Sequence, residues 1–211
     1  HLDTVHKEPV KDFYEKVDDK GNHIISSPQG IGGDDRCGIY MILEIIKEYK
    51  PFILFCEDEE IGCVGSKKFV ATKDLINELA DLKFLIGLDR MNGKDAVFYD
   101  CDNEDFTTFI TETTGYKEAF GSFSDISHLA PGAGVAAVNL SCGYYNAHTL
   151  GEKVIVEEML GTIEAVKKLL TVECEQFEYV EKKYGGYGGY GYGYGGYGYG
   201  GYYDDYDDYG Y

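Results

Sequence analysis

The chain has 211 residues, of which 19 are basic and 38 acidic, so its formal net charge is −19. One hydrophobic core is the natural expectation at this length. The negative charge argues against nucleic acids and anionic membranes as partners, because their phosphates would be repelled, and no stretch is long and apolar enough to span a bilayer.

Strands and helices alternate along the first 183 residues. In chain order, the hydrophobic pattern predicts a strand at 23–27, a helix at 36–49, a strand at 51–56, a helix at 73–81, strands at 83–89 and 95–101, a helix at 104–114, a strand at 134–141 and a helix at 151–170. The six cysteines have no CxxC spacing and are expected to be buried thiols, with disulfides left open for a secreted protein. This alternation predicts an α/β fold, a three-layer α/β/α sandwich around a mostly parallel mixed sheet.

Polar motifs follow the predicted strands. They read GIGGDDRCG at 30–38, CEDEEIG at 56–62, GLDR at 87–90 and YYNAHT at 144–149. Taken singly, each suits a helix cap or a solvated turn. Ligand groups collect at the carboxyl ends of strands in such sheets, however, and so many acidic groups in one crevice would repel each other without cations. Histidine, aspartate and glutamate without cysteine suit zinc or a similar divalent ion in a catalytic site.

The order of these motifs, together with HLD at the start, resembles the co-catalytic di-zinc exopeptidases. That group includes aminopeptidases, peptidase T and the glutamate carboxypeptidases, and the resemblance covers about residues 1–172. It implies a peptide substrate and two divalent metal ions, zinc in the first place, with cobalt or manganese as alternatives. The residues that it assigns are His1 and Asp89 on one metal, Glu60 and His148 on the other, Asp34 bridging both, Asp3 orienting His1, and Glu59 as general base. It also implies a cis peptide between Asp34 and Asp35.

Three features bear on how closely the chain follows that family. Only 58 residues separate Asp89 from His148, which favours the compact aminopeptidase-like plan over a plan with a second domain. The stretch SDISHLAPG at 124–132 resembles a loop of the substrate pocket, which makes Asp125 and His128 substrate-binding candidates and His128 the alternative to His148 as a ligand. His6 and His23 are expected to be surface or loop residues without a function.

The family's elements before the HxD motif are not part of this sequence. Three explanations stay open. The chain is processed from a longer precursor, residues before His1 exist but are not seen, or a free N-terminal histidine binds metal through its amine and imidazole.

Residues 184–211 form a separate region with twelve Tyr, twelve Gly and four Asp. Without those four charges the body, 1–183, still carries −15. A segment without aliphatic residues cannot build a core, but alternation places Tyr on one face of an extended strand and Gly on the other. The interpretation is an assembly element that joins copies into a filament or tube, and the alternative is a flexible linker. The tyrosines assigned to assembly are Tyr187, Tyr190, Tyr192, Tyr194, Tyr197 and Tyr199.

Two functional hypotheses follow. The first is a di-zinc metallo-exopeptidase, an aminopeptidase by preference, carried on a self-assembling subunit. The second is a structural filament or tube protein built from a peptidase fold whose site is idle. An extracellular assembly is slightly favoured over a cytoplasmic one.

Overall fold

Short strands and longer helices alternate over residues 1–183, the part of the chain that the computed structural model describes. The predicted assembly tail, 184–211, lies outside the described residues. The elements are β1 (Tyr14–Val17), β2 (His23–Ser26), α1 (Gly33–Ile45), α2 (Val64–Ala71), α3 (Lys73–Asn77), β3 (Leu85–Arg90), β4 (Asp95–Val97), α4 (Glu104–Thr114), β5 (Lys117–Glu118), α5 (Asp125–Ala133), β6 (Ala137–Ser141), β7 (Tyr144–Tyr145), β8 (Lys153–Ile155) and α6 (Val156–Thr171).

The strands form two four-stranded sheets. In the main sheet the order is β3-β6-β4-β5, with β3 parallel to β6, β6 antiparallel to β4, and β4 parallel to β5. The smaller sheet is antiparallel, with the order β1-β2-β8-β7. The predicted α/β class with a mixed sheet is confirmed.

The main sheet is covered by helices on both faces. Strand β6 is buried along its whole length, and its side chains alternate between the two faces, as the pleat requires. Val138 and Leu140 belong to the core formed with α1, α4 and α6. Ala137 packs with Ile126 and Ala130 of α5 on the opposite face. Helices α1 and α5 therefore lie on opposite sides of β3 and β6, whose carboxyl ends open towards the same edge.

The segment 51–56 is not a strand, which corrects the prediction. Its one backbone hydrogen bond across the fold runs from the Leu2 amide to the Cys56 carbonyl, at 2.9 Å. Within the described residues, no strand pairs with it. The segment and β3 line the same largely apolar cavity of about 460 Å³, and the described structure has no backbone hydrogen bond between them.

The helix predicted at 151–170 begins only at Val156. Lys153–Ile155 instead forms β8, which pairs with β2 and β7. Val154 and Ile155 are β-branched and favour a strand, and the available edge of β2 decides the outcome. Helix α5 was not predicted because Pro131 and Gly132 fall inside it, and both residues weaken a helical pattern.

The cysteines are free thiols in the described structure, and five of the six are buried. The prediction of buried thiols is thus confirmed for those five. Among the described residues, helices that combine the length and apolar character needed to cross a membrane are absent.

Candidate metal centre

Five separate segments bring a histidine or a carboxylate to the carboxyl end of β3. His1 comes from the first segment, and Asp34 from the start of α1. Glu60 lies in the turn before α2, and Asp89 lies near the end of β3. His148 lies in the loop between β7 and β8. These are the five residues that the resemblance assigned to metal binding.

Asp34 lies between the two histidines. Its Oδ1 is 3.1 Å from His1 Nε2, and its Oδ2 is 3.1 Å from His148 Nε2. Each histidine has a second carboxylate, because Asp89 Oδ1 is 3.6 Å from His1 Nε2 and Glu60 Oε2 is 3.1 Å from His148 Nε2. The arrangement is two donor groups that share one carboxylate.

Asp35 lies beside the same cluster, although no role in the site was predicted for its side chain. It is buried, and it accepts hydrogen bonds from the His1 backbone nitrogen at 2.6 Å and the Gly38 amide at 3.1 Å. Ligand atoms of Asp35, His1 and Asp89 lie within 4.8 Å of one another, as do those of His1, Asp34 and Glu60. The Asp34–Asp35 peptide is cis, as the resemblance implies.

Asp3 connects the first histidine to the glutamate pair. Its Oδ1 is 3.2 Å from His1 Nδ1, and its carboxylate accepts hydrogen bonds from the amides of Glu59, at 3.1 Å, and Glu60, at 3.0 Å. Burial opposes ionisation of Asp3, but the hydrogen bonds from Glu60 and Glu59 outweigh it and lower its pKa. One carboxylate thus fixes both the imidazole ring and the glutamate turn.

Glu59 faces the cluster from the side of His1. Its Oε2 is 3.9 Å from His1 Nε2, and its Oε1 accepts a hydrogen bond from Cys63 Sγ at 3.5 Å. Burial, followed by the negative charge of Asp89, raises the pKa of Glu59 to about 7. A carboxyl group with such a pKa can both take up and release a proton near neutral pH.

The carboxylates of the cluster are destabilised as anions. Burial raises the pKa of Asp34, Asp35 and Glu60; the charge of Asp89 adds to the effect on both aspartates, and that of Asp34 adds to the effect on Glu60. Burial also opposes a charge on His1, yet its hydrogen bonds to Asp34 and Asp89 raise its pKa to about 12. The carboxylates around His1 therefore stabilise a positive charge at this position.

The donor set fits divalent cations. Glu60 Oε1 is buried and has no hydrogen-bond partner in the described structure, which is unfavourable unless a cation or water binds to it. Imidazole nitrogens and carboxylate oxygens without a thiolate are the ligands of catalytic zinc and of related ions. The cluster thus combines excess negative charge with an unsatisfied acceptor.

Polar residues of neighbouring elements hold Asp89. Asn139 of β6 accepts a hydrogen bond from the Asp89 amide through Oδ1 and donates to the Asp89 carbonyl through Nδ2, both at 3.0 Å. Ser124 Oγ donates to Asp89 Oδ2 at 3.1 Å, and Tyr144 Oη donates to Oδ1 at 3.4 Å. The sequence signal for this network is Asn139, an asparagine inside an otherwise apolar strand, and no role was predicted for it.

The two substrate-binding candidates lie in α5. Asp125 is buried in the first turn, its Oδ1 has no hydrogen-bond partner in the described structure, and burial raises its pKa. Neither His128 nor His148 belongs to the compact metal-ligand groups found among residues 1–183. Burial together with the charge of Lys67 lowers the pKa of His128. His148, in contrast, contacts two cluster carboxylates with a side chain that is 54% exposed.

Solved structures with a similar fold include two named as aminopeptidases and one named as a peptidase. An aminopeptidase from the archaeon Desulfurococcus kamchatkensis has a TM-score of 0.54 and 17% sequence identity, over 78% of this chain and 53% of that chain. The TET1 peptidase of Pyrococcus horikoshii, which can assemble into a tetrahedron or a large octahedral shell, has a TM-score of 0.53 and 17% identity, over 79% and 53%. The TET aminopeptidase of a marine sediment Thaumarchaeota archaeon has a TM-score of 0.52 and 15% identity, over 74% and 51%.

The chain has an aminopeptidase-like fold. It spans about half the length of these solved structures, and at such identities the similarity is one of fold alone. No protein-family model matches the sequence. No curated protein matches it at a significant level.

Proposed function

We propose that the chain is the catalytic part of a metallo-exopeptidase that binds two divalent cations and removes N-terminal residues from peptides. The observation that carries this proposal is the position of Asp34, with one carboxylate oxygen 3.1 Å from His1 and the other 3.1 Å from His148. A carboxylate that faces two separate ligand groups is what a bridged two-metal site requires.

In this proposal each cation has its own histidine and its own second carboxylate. His1 and Asp89 would hold one ion, Glu60 and His148 would hold the other, and Asp34 would contact both. Zinc suits this donor set best, with cobalt and manganese as alternatives. Bound there, the ions would polarise the scissile carbonyl and lower the pKa of a water molecule.

Glu59 would act as the general base and acid. It lies on the His1 side of the cluster, and its pKa is about 7. It would accept a proton from the attacking water and deliver it to the amine that leaves. Asp3 would keep Glu59 in place through the hydrogen bond to its amide.

An aminopeptidase is favoured over other peptidases for two reasons. The solved structures with this fold are named as aminopeptidases, and the electrostatics of the chain suit a cationic substrate. A body with a formal charge of −15 attracts the α-ammonium group of a free peptide N-terminus. Asp125 also suits such a group, because it is buried near the cluster and its Oδ1 has no hydrogen-bond partner among the described residues.

A second function is assembly of copies into a larger structure. The Gly/Tyr composition of 184–211 supports it, and the similar TET1 peptidase of Pyrococcus horikoshii can assemble into closed shells. We propose that the chain is a self-assembling subunit that uses its tail. A structural protein with an idle site is the alternative form of the same proposal.

Metal content and peptide hydrolysis together test the proposal. The purified chain should retain about two equivalents of metal, measured by elemental analysis, and should hydrolyse aminoacyl anilides but not their N-acetylated forms. Metal without hydrolysis would favour the structural alternative. Fewer than about one equivalent after dialysis against zinc would contradict the two-metal site.

A further inference from the structure

Glu152 is a buried carboxylate next to the metal cluster, and it lies outside all of the predicted motifs. The Glu152 side chain has no exposed surface. Its Oε1 accepts a hydrogen bond from the Asp34 amide at 3.0 Å, and its Oε2 accepts one from the Gly32 amide at 2.7 Å. Such a carboxylate is costly to bury unless its hydrogen bonds are complete.

The third partner of Glu152 is His6, which was predicted to be a surface or loop residue without a function. His6 does lie in a loop, but its side chain is only 7% exposed and its Nε2 lies 2.9 Å from Glu152 Oε2. The imidazole ring fills the space beside Gly30, where a Cβ atom would overlap with it, and Gly30 has a φ of 83°. Glycine is therefore required there for two reasons, the backbone conformation and the ring.

The His6–Glu152 pair touches the three chain segments that carry most of the cluster. His6 is five residues after His1, and Glu152 is four residues after His148. The turn 30–34 wraps around the pair and ends at Asp34, whose own amide is bound to Glu152. The buried pair therefore links, by hydrogen bonds and by short stretches of chain, the segments that carry the two histidines and the aspartate between them.

We propose that Glu152 and His6 are positioning residues that hold Asp34 and both histidines at the distances needed for metal binding. The proposal rests on the proposed function for the metal and on the observed contacts for the positioning. Outer groups that orient metal ligands typically change metal affinity by 10- to 100-fold when they are removed. Neither residue touches the reacting atoms, so their action is through Asp34, His1 and His148.

The change Glu152→Gln removes this function with almost no change in volume. A glutamine amide offers one acceptor oxygen, whereas Glu152 accepts on both sides. Its NH₂ group would face either the Asp34 amide or the Gly32 amide, and two donors facing each other are unfavourable. The variant His6→Gln tests the pair from the other partner and leaves the carboxylate with both amide donors.

A second His–Glu pair in the same chain provides a matched control. His23 Nδ1 lies 2.7 Å from Glu157 Oε1 at the surface, and the His23 amide donates a hydrogen bond to Glu157 Oε2 at 2.8 Å. Glu157→Gln makes the same chemical change in an exposed pair, which is expected to contribute little. Any general effect of losing a negative charge appears in both variants.

The first measurement is hydrogen exchange of the metal-free protein, followed by mass spectrometry of peptides that cover 28–36. We expect faster exchange in this segment for Glu152→Gln and His6→Gln, and wild-type exchange for Glu157→Gln. The second measurement is titration with Co²⁺, whose visible absorption reports ligand geometry. We expect about 10- to 100-fold weaker binding and an altered spectrum for the two His6–Glu152 variants.

Each result supports or contradicts the positioning function. Unchanged exchange at 28–36 overturns it, as does unchanged Co²⁺ affinity and spectrum in protein that exchanges faster there. Equal acceleration of exchange across the whole chain means a general structural role and also overturns it. If wild-type protein binds no Co²⁺, the proposed function fails, while the exchange result still decides whether the pair holds the turn.

Discussion

Asp34 is the residue on which the two halves of the candidate metal centre depend. Its two oxygens contact two histidines from opposite ends of the sequence, and its amide is held by Glu152. An aspartate in this position cannot turn towards one histidine without losing contact with the other. The fixed turn before α1 is thus as important for the centre as the carboxylate itself.

The first prediction concerns the role of Glu59 in proton transfer. We expect Glu59→Gln to bind metal as the wild type does but to hydrolyse aminoacyl substrates on the order of 100- to 10,000-fold more slowly, because an amide cannot take a proton from water. The measurement is kcat for an aminoacyl anilide together with metal content. Asp58→Asn is the control, because Asp58 is an exposed residue of the same turn with a φ of 58°, a conformation that asparagine tolerates. Equal turnover in Glu59→Gln and the wild type would remove Glu59 from this role.

Most residues predicted for the site are acidic or histidine side chains in polar motifs after predicted strands, and Glu60 and Asp89 are two of them. Asn139 and Glu152 were not predicted, because their contacts join residues 50 and 118 positions apart and depend on tertiary packing. Asp35 was named for its peptide bond but not for its own contact with His1.

Asp89 is positioned by the pairing of β3 with β6 and by hydrogen bonds to the buried side chain of Asn139. Asn139→Leu would leave the Asp89 amide and carbonyl without their partners. We expect the free energy of unfolding to fall by about 1–3 kcal/mol, and metal affinity to fall as well because Asp89 is no longer held. Urea denaturation of the metal-free protein and a zinc titration measure the two effects.

A cap residue of α4 provides the control for this second prediction. Asn103 accepts a hydrogen bond from the Phe106 amide at 2.9 Å, and Asn103→Ala should lower the free energy of unfolding by about 1 kcal/mol. It lies outside the metal cluster, so metal affinity should not change. If both variants lose stability and neither loses affinity, Asn139 has a role in the sheet only.

At the scale of elements, amphipathic helices were the easiest to predict. Helix α4 was predicted with its observed bounds, because Asn103 caps it and Gly115 ends it in a left-handed conformation. The segment 51–56 has the composition of a buried strand but no partner in the described sheet. Strand formation depends on a neighbour as well as on composition, and the sequence of a segment does not contain that information.

The protein concentrates negative charge at the candidate metal centre, and repulsion among these charges lowers its stability when no cation is bound. Without a cation, the folded state keeps several carboxylates together, and burial raises the pKa of Asp34 and Glu60. We expect removal of metal with a chelator to lower the melting temperature. Zinc at about 100 times its dissociation constant should restore about 2.7 kcal/mol for one site, measured by calorimetry.

Two variants show whether zinc stabilises the protein through the candidate metal centre or by binding elsewhere, which tests this third prediction. Asp34→Asn should lose most of the stabilisation by zinc, because an amide is a poor ligand on both sides. Glu59→Gln should keep it, because Glu59 is assigned to proton transfer and not to binding. Stabilisation of the Asp34→Asn variant to the same degree as the wild type would place the metal elsewhere.

The last prediction concerns the Gly/Tyr region 184–211, which is proposed as an assembly element. The core clusters of the described residues contain no residue beyond Tyr179, so a chain that ends at Lys183 should fold. Twelve tyrosines in 28 residues offer a large contact area at a low cost in side-chain entropy, which suits contacts between copies. We expect the truncated chain to have the melting temperature and metal content of the full chain, but to sediment as a smaller species.

A variant with every tyrosine of 184–211 changed to serine keeps the length and charge of the tail, and it should behave like the truncated chain in analytical ultracentrifugation. Assembly of the serine variant to the same size as the wild type would contradict a function of the tyrosine rings, and assembly of the truncated chain would contradict a function of the tail.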